Sequence, residues 1–514
     1  MGNNHTFGIV DIGSNSIRVA VYEMTSAGEY RLIHENKESA RLSLKINADG
    51  KLYREDLIGI MPILQQFHHI CLQYKCRDIR VAATAAIRNA SNSQEIADSI
   101  LEHTGLQVQI LSGEQEAYYG FLGVVSNIEY DDGFIIDIGG GSTEVTLFRG
   151  RRLLHSISLP IGAVNGHTSC GKSPEAWTEH DISSLTKKLE QLLAQHSWIM
   201  SSPGLPLVGL GGTIRALSKL DQHRANYPLK VAHHYKLDPN AIHYFAQLLP
   251  SLPLAKRKQL DGLSKSRSDI IAPGVIILNT IMAYIQASSV VVSGTGLREG
   301  MLIEAAGLGV PAAAEVIPRQ TRSLLAFHST ARLDHLLHVY KHSNRLLDTF
   351  AQYTAYPREY KQQAEKLLYV SAMLYKIGGS IHYHQYDKHT LYWLTNAPIA
   401  GLTHREALLC ANIAAAGLGK AKASSLAPYR NLLEPADAEL IAQIGSLLQI
   451  AIALNISETE AVEDIVAEIK ADALQLELFC SKQALLETRG LEAAVKPFKK
   501  AWKLGLKWNL HHSR

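Results

Sequence analysis

Residues 134–148 read FIIDIGGGSTEVTLF, and the fold is decided by how that stretch must bend. Phe134, Ile135 and Ile136 form an apolar, largely β-branched run of the kind a buried strand carries. Asp137 ends the run, Gly139, Gly140 and Gly141 make a tight bend, and Glu144 to Phe148 resumes a strand pattern. Consecutive glycines let backbone N–H groups approach an anion closely, where a side chain would hold it off. Ser142 and Thr143 add hydroxyls, and Asp137 and Glu144 supply hard oxygens that suit a Mg²⁺ ion bridging phosphate oxygens. The stretch is therefore expected to be a strand–loop–strand phosphate cradle with an acidic rim.

The device occurs twice. Residues 7–22 read FGIVDIGSNSIRVAVY, and a shift of 126 positions (137 minus 11) lays Asp11 on Asp137, Gly13 on Gly139 and Ser16 on Ser142. Either hairpin alone is also explained as an ordinary D-x-G turn joining two strands. Two copies in register point instead to duplicated halves, with two phosphate loops facing each other across a cleft.

Composition bounds the rest. At 514 residues the chain exceeds a single core, with 46% hydrophobic and 19% charged residues and a formal net charge of only +3. So small a net charge selects no class of partner. Five scattered cysteines include no C-x-x-C pair, which argues against a disulfide scaffold or a thiolate zinc site. The Phe7 strand begins almost at the N-terminus, so no signal peptide is expected, and no apolar run is long enough to span a bilayer. A cytoplasmic protein with no membrane or nucleic-acid partner is the expectation.

Strands and helices alternate as far as about Glu304, the α/β signature. Residues 55–75 carry helical periodicity, and Asp78 to Ala83 is strand-like, leading to Arg88. That arginine reads either as a salt-bridged surface residue or as a cleft residue whose forked guanidinium meets phosphate. Ser112-Gly113 opens a helix with Glu114 and Glu116 in its first turn. Helix capping accounts for Glu114, and Glu116 has a second possible role, as a general base on water. Gly211, Gly212 and Thr213 follow a buried strand at a helix start and could bind phosphate there. From about Pro311 glycine thins out and leucine and alanine recur at helical spacing, which reads as an all-helical region. His382, His384 and His389 invite a metal site but have only Asp387 nearby. The tail, Lys496 to Arg514, reads as an amphipathic helix with a basic face in solvent, polyanion binding being the sharper alternative.

The ordered series DIGSNS, ATAAIR, SGEQEA, DIGGGSTE, GLGGT, RSDIIAPG and SGTGLREG resembles the exopolyphosphatase and guanosine pentaphosphate phosphohydrolase (Ppx/GppA) family, strongly over residues 5–305. That resemblance implies an α/β fold of two ribonuclease-H-like lobes, as in actin, sugar kinases and heat-shock chaperones, followed by an all-helical HD-like domain. The corresponding segments are residues 1–125, 126–305 and 311–514. It implies Glu116 as the catalytic base, with Gln115 departing from the usual glutamate of the motif. It further implies Gly139, Gly140, Gly141 and Ser142 as the phosphate loop, and Asp137 and Glu144 as ligands of Mg²⁺ or Mn²⁺. Ser14, Asn15 and Arg88 match positions facing the phosphate from the first lobe, and the residues themselves add Asp11, Gly212 and Thr213 as candidates for the phosphate site. Where the family's helical domain has L-H-E-x-G, residues 374–378 read LYKIG. A protonated lysine cannot ligate a metal, so this domain resembles a relic without a centre of its own.

The expected activity is metal-dependent removal of the terminal phosphate of inorganic polyphosphate, by a homodimer. Guanosine pentaphosphate is the close alternative substrate, since both end in a phosphoanhydride. A sugar kinase lacks the SGxxEA glutamate, and a non-catalytic polyphosphate or nucleotide sensor would not need Glu116, Asp137 and Glu144 together.

Overall fold

The computed structural model describes residues 4–47, 49–170, 175–355, 357–420 and 423–512. The chain divides into two compact units, Met1–Val316 and Ile317–Arg514.

The first unit is built on two sheets of like topology. One has the order β3-β2-β1-β4-β5, from β1 (His5–Ile12), β2 (Ser16–Met24), β3 (Tyr30–Ser39), β4 (Asp78–Ala83) and β5 (Val108–Ile110). The other has the order β10-β11-β9-β6-β7-β8, from β6 (Gly133–Ile138), β7 (Thr143–Arg149), β8 (Arg152–Leu159), β9 (Leu207–Leu210), β10 (Lys236–Leu237) and β11 (Val290–Val292). In each, an antiparallel meander (β1-β2-β3, β6-β7-β8) continues into parallel strands beside its first member. The two quoted hairpins are therefore equivalent places in a duplicated fold of the actin-like type.

Alternation along the strands divides the core into layers. Val10, Ile12 and Val19 face helices on the outer side of the first sheet, while Ile9, Ala20 and Tyr22 face inward. The inner layer also takes Ile135, Phe148, Val208 and Leu210 from the second sheet. Between the sheets lie the helices Gly113–Val125 and Leu297–Ala305, which supply Tyr119, Phe121, Leu122, Met301 and Leu302 to that layer. Their axes approach closely because Gly123 sits on the carbonyl of Gly296 and Gly300 on the carbonyl of Tyr119, where a Cβ would collide. The N-terminus of the first helix, with Glu116, is thereby set at the cleft between the sheets.

The second unit is mostly helical, with one core from Ile317 to Leu506, but it is not all-helical. β12 (Val462–Lys470), β13 (Ala473–Cys480) and β14 (Gly505–His512) form a sheet, β14 joining parallel to β13 through the helix Leu485–Trp502. This corrects the reading of the tail as one solvent-facing helix. Trp502 packs against Phe350 at 3.9 Å between ring centres, the rings tilted by 35°, and donates to the Ser446 hydroxyl at 3.0 Å, so the aromatic residue anchors the segment inward.

Candidate active site

Strand register builds the site. In the second sheet Asp137 pairs with Glu144, and Glu144 with Ser158, so these three side chains lie side by side on one face across β6, β7 and β8. In the first sheet the equivalent row is Asp11, Arg18 and Lys37 across β1, β2 and β3. Both rows begin with an aspartate, the middle position has changed sign, Arg18 against Glu144, and the third members are Lys37 and Ser158. Between them lies a cavity of about 140 Å³. Asp11, Ser14, Asn15, Glu116, Asp137, Gly139, Gly140, Ser142 and Gly212 line it, as do Arg18, Arg215, Arg267 and Arg298.

The two phosphate loops touch. A Cβ on Gly140 would meet Ser14 Cβ at 2.8 Å, and one on Gly141 would meet the Ser14 and Ser43 hydroxyls at 3.0 and 3.3 Å. Each loop makes the same internal bond, Gly13 N–H to Ser16 O at 3.1 Å and Gly139 N–H to Ser142 O at 3.0 Å. Gly139 is thus a turn former whose N–H is already used, contrary to its expected part as a phosphate donor. The loop carbonyls are held as well: Ala163 N–H donates to Gly139 O at 2.9 Å and Val164 N–H to Gly140 O at 2.8 Å. The N–H groups of Gly140 and Gly141 have no acceptor among the described residues.

Four expected residues are not on the cavity wall: Gly141 (which faces the Ser14 and Ser43 hydroxyls), Thr213, Arg88 and Glu144. Thr213 is buried, its side chain packed against Gly274 of the helix Ile271–Tyr284, so it cannot serve as a hydroxyl donor to a ligand. Gly212 instead leaves room for the guanidinium of Arg267, which occupies the place of its missing Cβ. Arg88 is a partner of Glu116: its Nη1 lies 2.6 Å from Glu116 Oε2 and donates to Leu111 O at 3.1 Å. Glu144 is 3% exposed, accepts from the Ser158 hydroxyl at 2.7 Å through Oε1, and has no hydrogen-bond partner for Oε2.

Glu116 follows a well-made helix start. Ser112 accepts from Gln115 N–H at 3.1 Å, and Gln115 Oε1 accepts from Ser112 N–H at 2.9 Å. Glutamine thus fulfils the capping role that a glutamate fills in such a box, and Glu116 is left free to face the cleft.

Carboxylates and guanidiniums line the cavity in equal number, Asp11, Glu116, Asp137 and Glu299 against Arg18, Arg215, Arg267 and Arg298, but few of them are directly paired. Burial raises Glu116 to about 7, against the lowering effect of Arg88, with Asp137 and Asp11 adding to the rise. Burial likewise raises Asp137 to about 6 and pushes Glu144 well up, Glu116 and Asp137 adding repulsion there. On the opposite wall burial and mutual repulsion lower Arg215 and Arg267 to about 10. Among the described residues Arg18, Arg215 and Arg267 have no hydrogen-bond or ion-pair partner, whereas Arg298 meets Glu35 at 2.6 Å. Sequence reading missed all four arginines. Each stands in or beside a quoted motif, but only the register across strands and the helix starts show that they converge.

The orphaned, buried Oε2 of Glu144 beside Asp137 fits a divalent cation. Among the described residues no group of three or more His, Cys, Asp or Glu side chains is arranged to hold a metal ion.

In the second unit the LYKIG position is filled by protein contacts. The Tyr375 hydroxyl meets His335 Nε2 at 2.5 Å, Asn455 meets His335 Nδ1 at 3.0 Å, and Lys376 pairs with Glu458. His382 and His384 are exposed, their ring centres 5.9 Å apart.

Facing hairpin loops on duplicated sheets, with carboxylates and arginines between them, define a two-lobed phosphate-handling protein of the actin-like class. The chain belongs to the Ppx/GppA phosphatase family, whose model matches residues 20–308, and the model of that family's domain III matches residues 322–495. It is 26% identical over 308 residues to Exopolyphosphatase 1 of Mycobacterium tuberculosis, covering 58% of this chain and 87% of the relative. It is 25% identical over 309 residues to Exopolyphosphatase 1 of Mycobacterium leprae, covering 58% and 88%. The crystal structure of the Aquifex aeolicus Ppx/GppA family member aligns at TM-score 0.52 and 26% identity, over 59% of this chain and 98% of that one. An exopolyphosphatase from Cytophaga hutchinsonii shares the fold at TM-score 0.55 and 20% identity, over 60% and 99%. The protein is a phosphoanhydride hydrolase.

Proposed function

We propose that the protein is an exopolyphosphatase that releases orthophosphate from the end of inorganic polyphosphate. The observation that carries this reading is the set of three guanidiniums, Arg18, Arg215 and Arg267, none of which has a hydrogen-bond or ion-pair partner among the described residues, Asp11, Asp137, Asp269 and Glu299 acting on them only at longer range. Unpaired buried arginines are costly unless a multiply charged ligand meets them. A linear polyanion would meet all three, and the lining has no aromatic side chain among the described residues to stack on a purine base, which favours polyphosphate over guanosine pentaphosphate.

The terminal phosphoryl group would sit at the N–H groups of Gly140 and Gly141 and the Ser142 hydroxyl. The next phosphates would run along Arg18, Arg215 and Arg267 toward Lys37. Glu116, its pKa near neutrality, takes a proton from a water positioned on the far side of the terminal phosphorus. The P–O anhydride bond opposite the incoming oxygen breaks, and the shortened chain leaves as an anion held by the arginines. Arg88 keeps Glu116 in place and ionisable. Asp137 and Glu144 would hold Mg²⁺ or Mn²⁺, which when bound neutralises charge on the phosphoryl oxygens. Phosphate release from long-chain polyphosphate, guanosine pentaphosphate and ATP by the purified protein tests the reading. Turnover of polyphosphate at least tenfold above the other two supports it, and preference for guanosine pentaphosphate or ATP overturns it.

A further inference from the structure

Ser158 belongs to none of the motifs, yet it stands where the two catalytic carboxylates are joined. It is the third member of the row Asp137–Glu144–Ser158, directly opposite Glu144 in the β7–β8 register. Its hydroxyl donates to Glu144 Oε1 at 2.7 Å, and its oxygen accepts from Arg88 Nη2 at 3.5 Å. Arg88 in turn holds Glu116 at 2.6 Å. The chain Glu116–Arg88–Ser158–Glu144 thus crosses from the helix start of the first half to the meander of the second. The approach is a built feature: Ser158 Cβ lies against Gly113, the glycine of the SGEQEA helix start, where any side chain would collide with it.

The geometry points to Ser158 as a positioning residue that ties down one oxygen of Glu144 and leaves the other turned toward a divalent cation. This inference rests on the reading of Glu144 as a cation ligand. With Oε1 occupied by the hydroxyl, the orphaned Oε2 is the oxygen left to coordinate. Without the hydroxyl, the polar groups left beside the carboxylate are Ser142 and Arg88, the Nη2 of Arg88 being already 3.9 Å from Glu144 Oε1. A carboxylate that swings to Arg88 gives up the cation and also draws the guanidinium away from Glu116. The first-half counterpart of Ser158 in the duplicated row is Lys37, which has no hydroxyl to give to an acid.

The test is Mn²⁺ binding, measured by calorimetry on full-length protein without substrate, for the parent, Ser158→Ala and Ser158→Thr. Losing the orienting hydrogen bond of a ligand costs about 10–100-fold in metal affinity, so Ser158→Ala should bind Mn²⁺ at least tenfold more weakly. Ser158→Thr, which keeps the hydroxyl, should recover most of that loss. On polyphosphate the alanine variant should lose kcat at saturating Mn²⁺, with KM for the chain within twofold of the parent. Should Ser158→Ala not fold, Ser158→Cys, similar in size but a poor donor, replaces it in the same titration. Mn²⁺ affinity within twofold of the parent in either variant overturns the proposal. If the parent binds Mn²⁺ but releases no phosphate from polyphosphate, the substrate reading fails, while the titration still decides the role of Ser158.

Discussion

At the scale of single residues the account turns on Glu116 and the guanidinium beside it. Burial raises its carboxyl to about 7, so turnover should fall about tenfold per pH unit below that value, as the base takes up a proton. Glu116→Gln should lower kcat by about 10²–10⁴-fold with KM for polyphosphate nearly unchanged, read from initial rates. Arg88 lowers the Glu116 pKa, so Arg88→Met should move the acid limb of the profile to higher pH. A limb that stays in place would mean the guanidinium does not reach the base. The same carboxylates mark stability. Asp137 at about 6 and Glu116 at about 7 are raised by folding, so their contribution is fully present below about pH 4 and is lost as pH rises through 6 to 7. In chelator, Tm should therefore fall across that window, and Mg²⁺ should raise Tm more at pH 8 than at pH 5. These residues were legible in the sequence because each stands inside one contiguous motif. Arg18, Arg215 and Arg267 were not, because no linear spacing tells that a strand and two separate helix approaches end at one cavity. Thr213 misled for the complementary reason: a G-G-T helix start shows hydroxyl chemistry but not which way the side chain packs.

At the scale of elements, two meanders of like register carry rows that differ in charge at the second and third members, Asp11–Arg18–Lys37 and Asp137–Glu144–Ser158. The duplication was visible in the hairpins, but the third member of each row lies across a loop of different length and emerges only from strand pairing. Burial and the charges of Arg18, Arg267 and Arg215 lower Lys37 to about 8. Affinity for polyphosphate should thus weaken as pH rises through 8, measured as KM with kcat constant, and the dependence should vanish in Lys37→Ala. The paired helices between the sheets carry a second prediction. Gly300→Ala places a methyl on the Tyr119 carbonyl, which should cost about 1–3 kcal/mol, read as a lower denaturant midpoint. The C-terminal strand β13 shows how local pattern is overridden. The segment 473–480, ALQLELFC, carries Leu, Ala, Gln and Glu, residues that favour helix, and pairing between β12 and β14 makes it a strand. The segment 462–470, VEDIVAEIK, by contrast carries four β-branched residues, Val462, Ile465, Val466 and Ile469, a strand signal that an all-helical reading passes over.

At the scale of the whole molecule, every residue assigned a part in the chemistry lies in the unit ending at Val316. The centre-like position of the second unit is filled by the His335–Tyr375–Asn455 contacts and the Lys376–Glu458 pair. A chain ending after Ala312, which keeps the bond from Arg151 Nε to Pro311 O at 2.7 Å, should hydrolyse short polyphosphates with the parent kcat. Loss of all activity in a folded protein of that length would contradict the division. The central claim is that this cleft breaks the terminal anhydride of polyphosphate with Glu116 as base. Its most direct measurement is orthophosphate release from long-chain polyphosphate by the full-length protein with Mg²⁺, beside Glu116→Gln at equal concentration. The account predicts steady release by the parent, and a variant that binds the chain but releases phosphate at least a hundredfold more slowly. A parent that leaves polyphosphate intact, or a Glu116→Gln variant that turns it over within a few-fold of the parent, would contradict it.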